Sequence, residues 1–124
     1  MTDYSELIGT PFEYGGRGPD KYDCWGLVMH LYKSEKGIDI PDYISPSDAS
    51  RIAALMIGDL HLWEQIEEVK GAVVLFRASE FMHVGYCVGD GRFIHTWDKS
   101  GGVCIERLSD WKRRILGFYK YVGK

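Results

Sequence analysis

The chain has 124 residues, a hydrophobic fraction of 45% and a formal net charge of −3. That length sets one domain, residues 1–124, with room for a real core. The charge balance excludes a broad basic face and with it nucleic acid as the main partner, and no apolar run reaches the roughly eighteen residues of a membrane span.

The N-terminus, Met1-Thr2-Asp3-Tyr4-Ser5-Glu6, lacks a positive region and a long apolar run. No secretory signal is expected there, so synthesis in a cytosol is expected. Residues 1–9 read as a short helix or arm. Thr10 to Asp20 is loop chemistry, with glycines and prolines that permit tight turns. From Cys24 to about Glu35, Leu27, Val28, Leu31 and Tyr32 recur at helical spacing, with Asp23 as N-cap and Gly37 as the stop. Ser45-Pro46-Ser47-Asp48 signals a second helix, carried by Ile52, Leu55 and Met56 and ended by Gly58.

After Gly71 the texture changes to strands. Ala72–Phe76, Val84–Val88, Arg92–Thr96, Val103–Leu108 and Ile115–Val122 are rich in branched and aromatic residues. Ser109 to Lys112 reads as a helical turn between the last two. The expected fold is α+β, with N-terminal helices packed on a C-terminal antiparallel five-stranded sheet.

Three cysteines without a CxxC pair exclude a disulfide framework and a structural zinc site of ordinary spacing. Cys87 and Cys104 sit in strand-like runs and read as small buried hydrophobes. Cys24 is different, because it opens a helix. Unpaired N–H groups and the dipole there favour a thiolate and can hold an oxyanion. Such a nucleophile needs a histidine to take its proton and a second group to orient that histidine.

His83 and His95 are twelve positions apart, flanking Gly89-Asp90-Gly91. A three-residue loop there places both on one face as diagonal neighbours, with Gly85 leaving room beside the rings; a two-residue loop places them on opposite faces. Cys24, His83 and His95 are therefore the candidate catalytic set. Asp23 either caps the helix or shapes a substrate amine site. Asp98 is a less favoured orienter, and His30 and His61 read as ordinary surface or core histidines. A catalytic zinc held by Cys24, His83 and His95 is the weakest alternative, so no metal and no cofactor are expected. Trp63, Trp97 and Trp111 read as core or as an interface.

Three segments, Pro11-Phe12-Glu13-Tyr14-Gly15-Gly16, Asp23-Cys24-Trp25-Gly26-Leu27-Val28 and His83 through His95, together resemble the NlpC/P60 papain-like cysteine peptidases, over about residues 7–122. The resemblance implies a peptidoglycan hydrolase that cuts stem peptides, often between D-glutamate and a diamino acid. It implies Cys24 as nucleophile, His83 as general base and acid, and His95 as the orienting third member. Asp23, Trp25 and Tyr14 would then lie at the substrate and oxyanion subsites. Trp25 stands where serine is usual, and with Gly-Arg-Gly-Pro-Asp before it this looks like the branch found in tailed-phage tail tip and tail assembly proteins. That branch implies tail hub and distal tail proteins as partners, and a virion as the vehicle to the cell wall. Phe12 stands where many members carry a tyrosine whose hydroxyl helps the site. A tail-tip building block with a weak or vestigial site is the alternative this departure favours.

Overall fold

A computed structural model describes residues 4–42, 58–78, 81–97 and 100–123. The expected helix over Ser45–Met56 lies outside these residues. The described helix, α1, spans Cys24–Lys36. Asp23 starts it in extended backbone, and its carboxylate accepts the Gly26 N–H at 2.7 Å. Gly37 ends it at φ 67°, a left-handed turn that glycine adopts without steric cost. Trp25, Leu27, Val28, Leu31 and Tyr32 form its buried face.

Among the described residues six strands follow: β1 (Trp63–Ile66), β2 (Val73–Ala78), β3 (Phe81–Gly89), β4 (Arg92–His95), β5 (Cys104–Arg107) and β6 (Ile115–Tyr121). They form one sheet in the order β1-β6-β2-β3-β4-β5, with every neighbouring pair antiparallel. The expected count of five misses β1. Its run Trp63-Glu64-Gln65-Ile66 is half polar because it is an edge strand, so it carries no branched, apolar signature. The helical turn expected near Ser109 is a 3₁₀ segment, Leu108–Arg114.

The alternation of β2 divides the interior into two layers. Val73 and Leu75 pack with α1, Tyr86, Ile94 and Trp63. Val74 and Phe76 face the other way, onto Cys87, Phe93, Leu108 and Trp111. Both sides of this strand are covered, which is why it reads as an unbroken apolar run. Trp63 and Trp111 are buried and Trp97 packs on the second layer, so all three are committed to packing.

The hairpin between β3 and β4 solves the register in an unexpected way. Its turn has two residues, Asp90 and Gly91, and Gly89 pairs with Arg92. A bulge between Cys87 and Gly89 absorbs one residue, so Cys87 faces Phe93 and Tyr86 faces Ile94. The extra residue restores the register that a three-residue loop would have set.

Candidate active site

The segment Pro11–Tyr22 folds against the first turn of α1. Asp23 N–H donates to Gly16 O at 3.1 Å, and Gly16 N–H to Glu13 O at 2.8 Å. A Cβ on Gly26 would overlap the Gly16 carbonyl oxygen, so only glycine lets this backbone approach the helix. Arg17 fixes the loop from outside: its Nη1 donates to Asp23 Oδ1 at 2.7 Å and its Nη2 pairs with Asp42 at 2.8 Å. Gly15 N–H donates to Asp23 Oδ2 at 3.1 Å. Both carboxylate oxygens of Asp23 are thus used in capping and in the ion pair, and the residue is 3% exposed.

Cys24 is 3% exposed at the helix start. Backbone N–H groups of Val84 and Trp25 reach its sulfur. The thiol therefore touches β3 at the residue next to His83. The helix start was expected to favour thiolate; instead burial, helped by the Asp23 charge, pushes the thiol up to about 12, and those N–H groups and Arg17 only partly offset it. Removing a charge from water outweighs two hydrogen bonds and a half-dipole. Cys24 therefore rests as a neutral thiol.

His83 and His95 do face each other, with His83 Nε2 and His95 Nδ1 at 2.7 Å. Gly85 makes this possible, since a Cβ there would sit 2.9 Å from the Phe93 ring and 3.4 Å from His95 Cβ. Phe76, Trp97 and Trp111 enclose the His83 ring. Burial, with His95 beside it, drives the His83 pKa well below its ordinary 6.5, and burial also lowers that of His95. Both rings are neutral at pH 7. Among the described residues, His83 Nδ1 is buried with no hydrogen-bond partner, as is Thr96 Oγ1. An unpaired buried nitrogen costs about 1–3 kcal/mol, and such atoms are few in native proteins.

One neighbour was not legible in the sequence. His95 pairs directly with Cys104 across β4 and β5, so Glu106 is its diagonal neighbour on the same face. Glu106 Oε2 lies 2.5 Å from His95 Nε2, and its Oε1 accepts from Trp111 Nε1 at 3.3 Å. A glutamate alternating inward on a strand was the available signal, but the register of β5 against β4 was not. Cys104, read as buried, is only half-buried, with its sulfur 3.8 Å from Glu106 Oε2.

The remaining sequence candidates fall elsewhere. The Trp25 side chain is fully buried, donates to Pro41 O at 2.9 Å and packs edge-on against Trp63; only its backbone N–H reaches the cysteine. Tyr14 is 48% exposed, its ring edge-on to Phe12 at 4.9 Å. His30 and His61 are exposed. Asp98 lies outside the described residues. Among the described residues, the donors gathered closely enough for a metal are His95, Cys104 and Glu106, not Cys24 and His83.

The chain is similar to known proteins. Murein DD-endopeptidase MepH of Escherichia coli K12 is 32% identical over 123 residues, covering 94% of this chain and 43% of its own. Murein DD-endopeptidase MepS/Murein LD-carboxypeptidase of the same strain is 29% identical over 121 residues, covering 92% of this chain and 57% of its own. The chain thus spans about half the length of these relatives. Among solved structures, NlpC1 from Trichomonas vaginalis superposes with a TM-score of 0.67 at 25% identity, over 97% of this chain and 41% of that one. The sequence pattern of the NlpC/P60 family matches residues 9–120, and the chain belongs to that family.

Proposed function

We propose that this chain is a cysteine peptidase that hydrolyses peptidoglycan stem peptides. The observation that carries the proposal is a Cys24 sulfur at a helix start, contacted by the Val84 N–H one residue along β3 from His83, together with a buried His83–His95 pair whose outer nitrogen has no partner among the described residues. The relatives' names supply the substrate class, since both are murein peptidases.

In the proposed cycle a bound carbonyl draws the thiol toward His83 Nδ1. Such hydrogen bonds are often long without substrate and tighten in the reacting complex. The sulfur attacks the carbonyl carbon as its proton passes to His83 Nδ1, and helix-start N–H groups hold the oxyanion. The C–N bond breaks, and His83 returns the proton to the leaving amine. Water then attacks the thioester with His83 as base, which regenerates the thiol. A neutral thiol beside a neutral imidazole is the starting state, so proton transfer belongs to the attack step.

The bond proposed is the one between D-glutamate and the diamino acid. The setting proposed is a phage tail tip, where a virion carries the enzyme to the wall and hub and distal tail proteins hold it. The Gly-Arg-Gly-Pro-Asp and Asp-Cys-Trp-Gly-Leu-Val segments support that setting. A structural tail-tip role with a weak site is the second reading. Phe12 favours it, because a phenyl ring packed on Tyr14 has no hydroxyl to offer the site.

Wild-type protein, Cys24→Ala and His83→Ala should be incubated with sacculi and soluble muropeptides, and the products identified by mass spectrometry. New stem fragments from wild type alone, ending at D-glutamate, are expected. Loss of His83 should slow the reaction by roughly 10²–10⁴-fold. Cleavage between two D-centres instead would move the bond to that of a DD-endopeptidase. No cleavage by wild type, with normal incorporation of Cys24→Ala into virions, would favour the structural role.

A further inference from the structure

We infer that Glu106 is a fourth member of the proton relay, a positioning residue that fixes which nitrogen of His83 is free to act as base. The inference rests on the catalytic reading of Cys24, His83 and His95 and deepens it.

A glutamate carboxylate only accepts hydrogen bonds. At 2.5 Å from Glu106 Oε2, the Nε2 of His95 must therefore be the N–H donor. His95 is a neutral ring, because burial lowers its affinity for a second proton. Its Nδ1 is then bare and accepts. The contact at 2.7 Å is accordingly His83 Nε2–H donating to His95 Nδ1. His83 is also neutral, so its Nδ1 carries a lone pair. That is the nitrogen left buried without a partner, and the one a base needs.

Without Glu106 the same two rings have a second arrangement. His95 can carry its proton on Nδ1 and donate to His83 Nε2, which forces the His83 proton onto Nδ1. In that form His83 cannot take a proton from Cys24. The His83–His95 pair alone has only the modest intrinsic preference of a histidine ring for Nε2–H, which leaves both forms accessible. Glu106 chooses, and its other oxygen is steadied by Trp111 Nε1 at 3.3 Å. Its side chain is 36% exposed while His95 is fully enclosed, so the carboxylate sits where the relay meets solvent.

The experiment is nitrogen NMR on imidazole-labelled protein, alongside steady-state kinetics of wild type, Glu106→Gln and Glu106→Ala. His95, Cys104 and Glu106 offer donor atoms within 4.8 Å of one another, so chelator is present throughout and adventitious metal does not set the tautomer. Wild type should show protonated Nε2 and bare Nδ1 in both rings. Glu106→Ala should populate the reversed tautomers and lower kcat by about tenfold to a hundredfold, part of what a positioned base contributes, with KM little changed. Glu106→Gln, whose amide oxygen can still accept from His95, should recover part of both.

Reversed tautomers in wild type, or unchanged tautomers and kcat in Glu106→Ala, would overturn the inference. The NMR arm reads the relay in resting protein. An inactive wild type with the expected tautomers would count against the proposed substrate, and reversed tautomers in an active one would count against Glu106.

Discussion

The two halves of the site are built by different means. The Cys24 half is assembled from backbone: Gly16 against Gly26, a cap from Asp23 and N–H groups on sulfur. The His83 half is assembled from side chains spread over three strands, held by register and a chain of hydrogen bonds ending at Glu106. The first tolerates almost no added volume. The second depends on a single residue of strand slip, since side chains alternate faces with period two. Gly26 and Glu106 are therefore vulnerable for opposite reasons, one steric and one electronic.

The sharpest way to break the first half is Gly26→Ala. In an ordinary helix interior this change stabilises by about 1 kcal/mol. Here the new methyl meets a backbone carbonyl, which cannot rotate away as a flexible side chain would. The clash should win, with a net loss of about 3 kcal/mol, the upper range for overpacking. The midpoint of urea unfolding measures it. A stabilised Gly26→Ala would mean that the Gly16 loop does not press on the helix start.

This contrast also explains what could be read without coordinates. Asp23, Cys24 and Gly37 are local signals, because a cap, a helix start and a left-handed stop each require particular residues at fixed offsets. The same-face histidines were legible for a sound reason and through an incomplete device. The odd register is real, but a bulge at β3 rather than a longer loop provides it. β1 was missed because an exposed edge strand has no apolar run. Glu106 was missed because seven residues separate Thr96 from Cys104, and nothing within that connection reveals how β5 slides along β4. The protonated state of Cys24 was missed because burial of the helix start is a tertiary fact.

A smaller effect separates two roles of Asp23. Asp23→Ala removes the cap, worth about 1–2 kcal/mol, and the Arg17–Asp23 ion pair with it. A loss of about 2 kcal/mol is expected. Asp23→Asn keeps an accepting oxygen for the Gly26 N–H, so most of the stability should remain. It also deletes the negative charge that helps to raise the Cys24 pKa. Iodoacetamide should then alkylate Cys24 faster than in wild type at the same pH, by tenfold for each unit the pKa falls. Equal alkylation rates would show that burial alone keeps the thiol protonated.

The smallest effect tests the second half through pH. In the folded protein His83 resists protonation because it is enclosed by Phe76, Trp97 and Trp111 and faces His95. In the unfolded chain the same ring titrates near its ordinary 6.5. Between 6.5 and the lower folded value, the unfolded state binds more protons, so stability falls as pH drops through that window and is unaffected above it. His95 adds to the trend, although Glu106 opposes part of its shift. Carboxylates elsewhere contribute to acid unfolding too, so the useful quantity is a difference. Subtracting the unfolding free energy of His83→Gln from that of wild type cancels what the two share. That difference should be constant above 6.5 and become less favourable to wild type below it. A difference flat across the whole range would mean that His83 meets water in solution. The unpartnered Nδ1 would then be hydrated, and the resting base would be poised by solvent instead of by the enclosing rings.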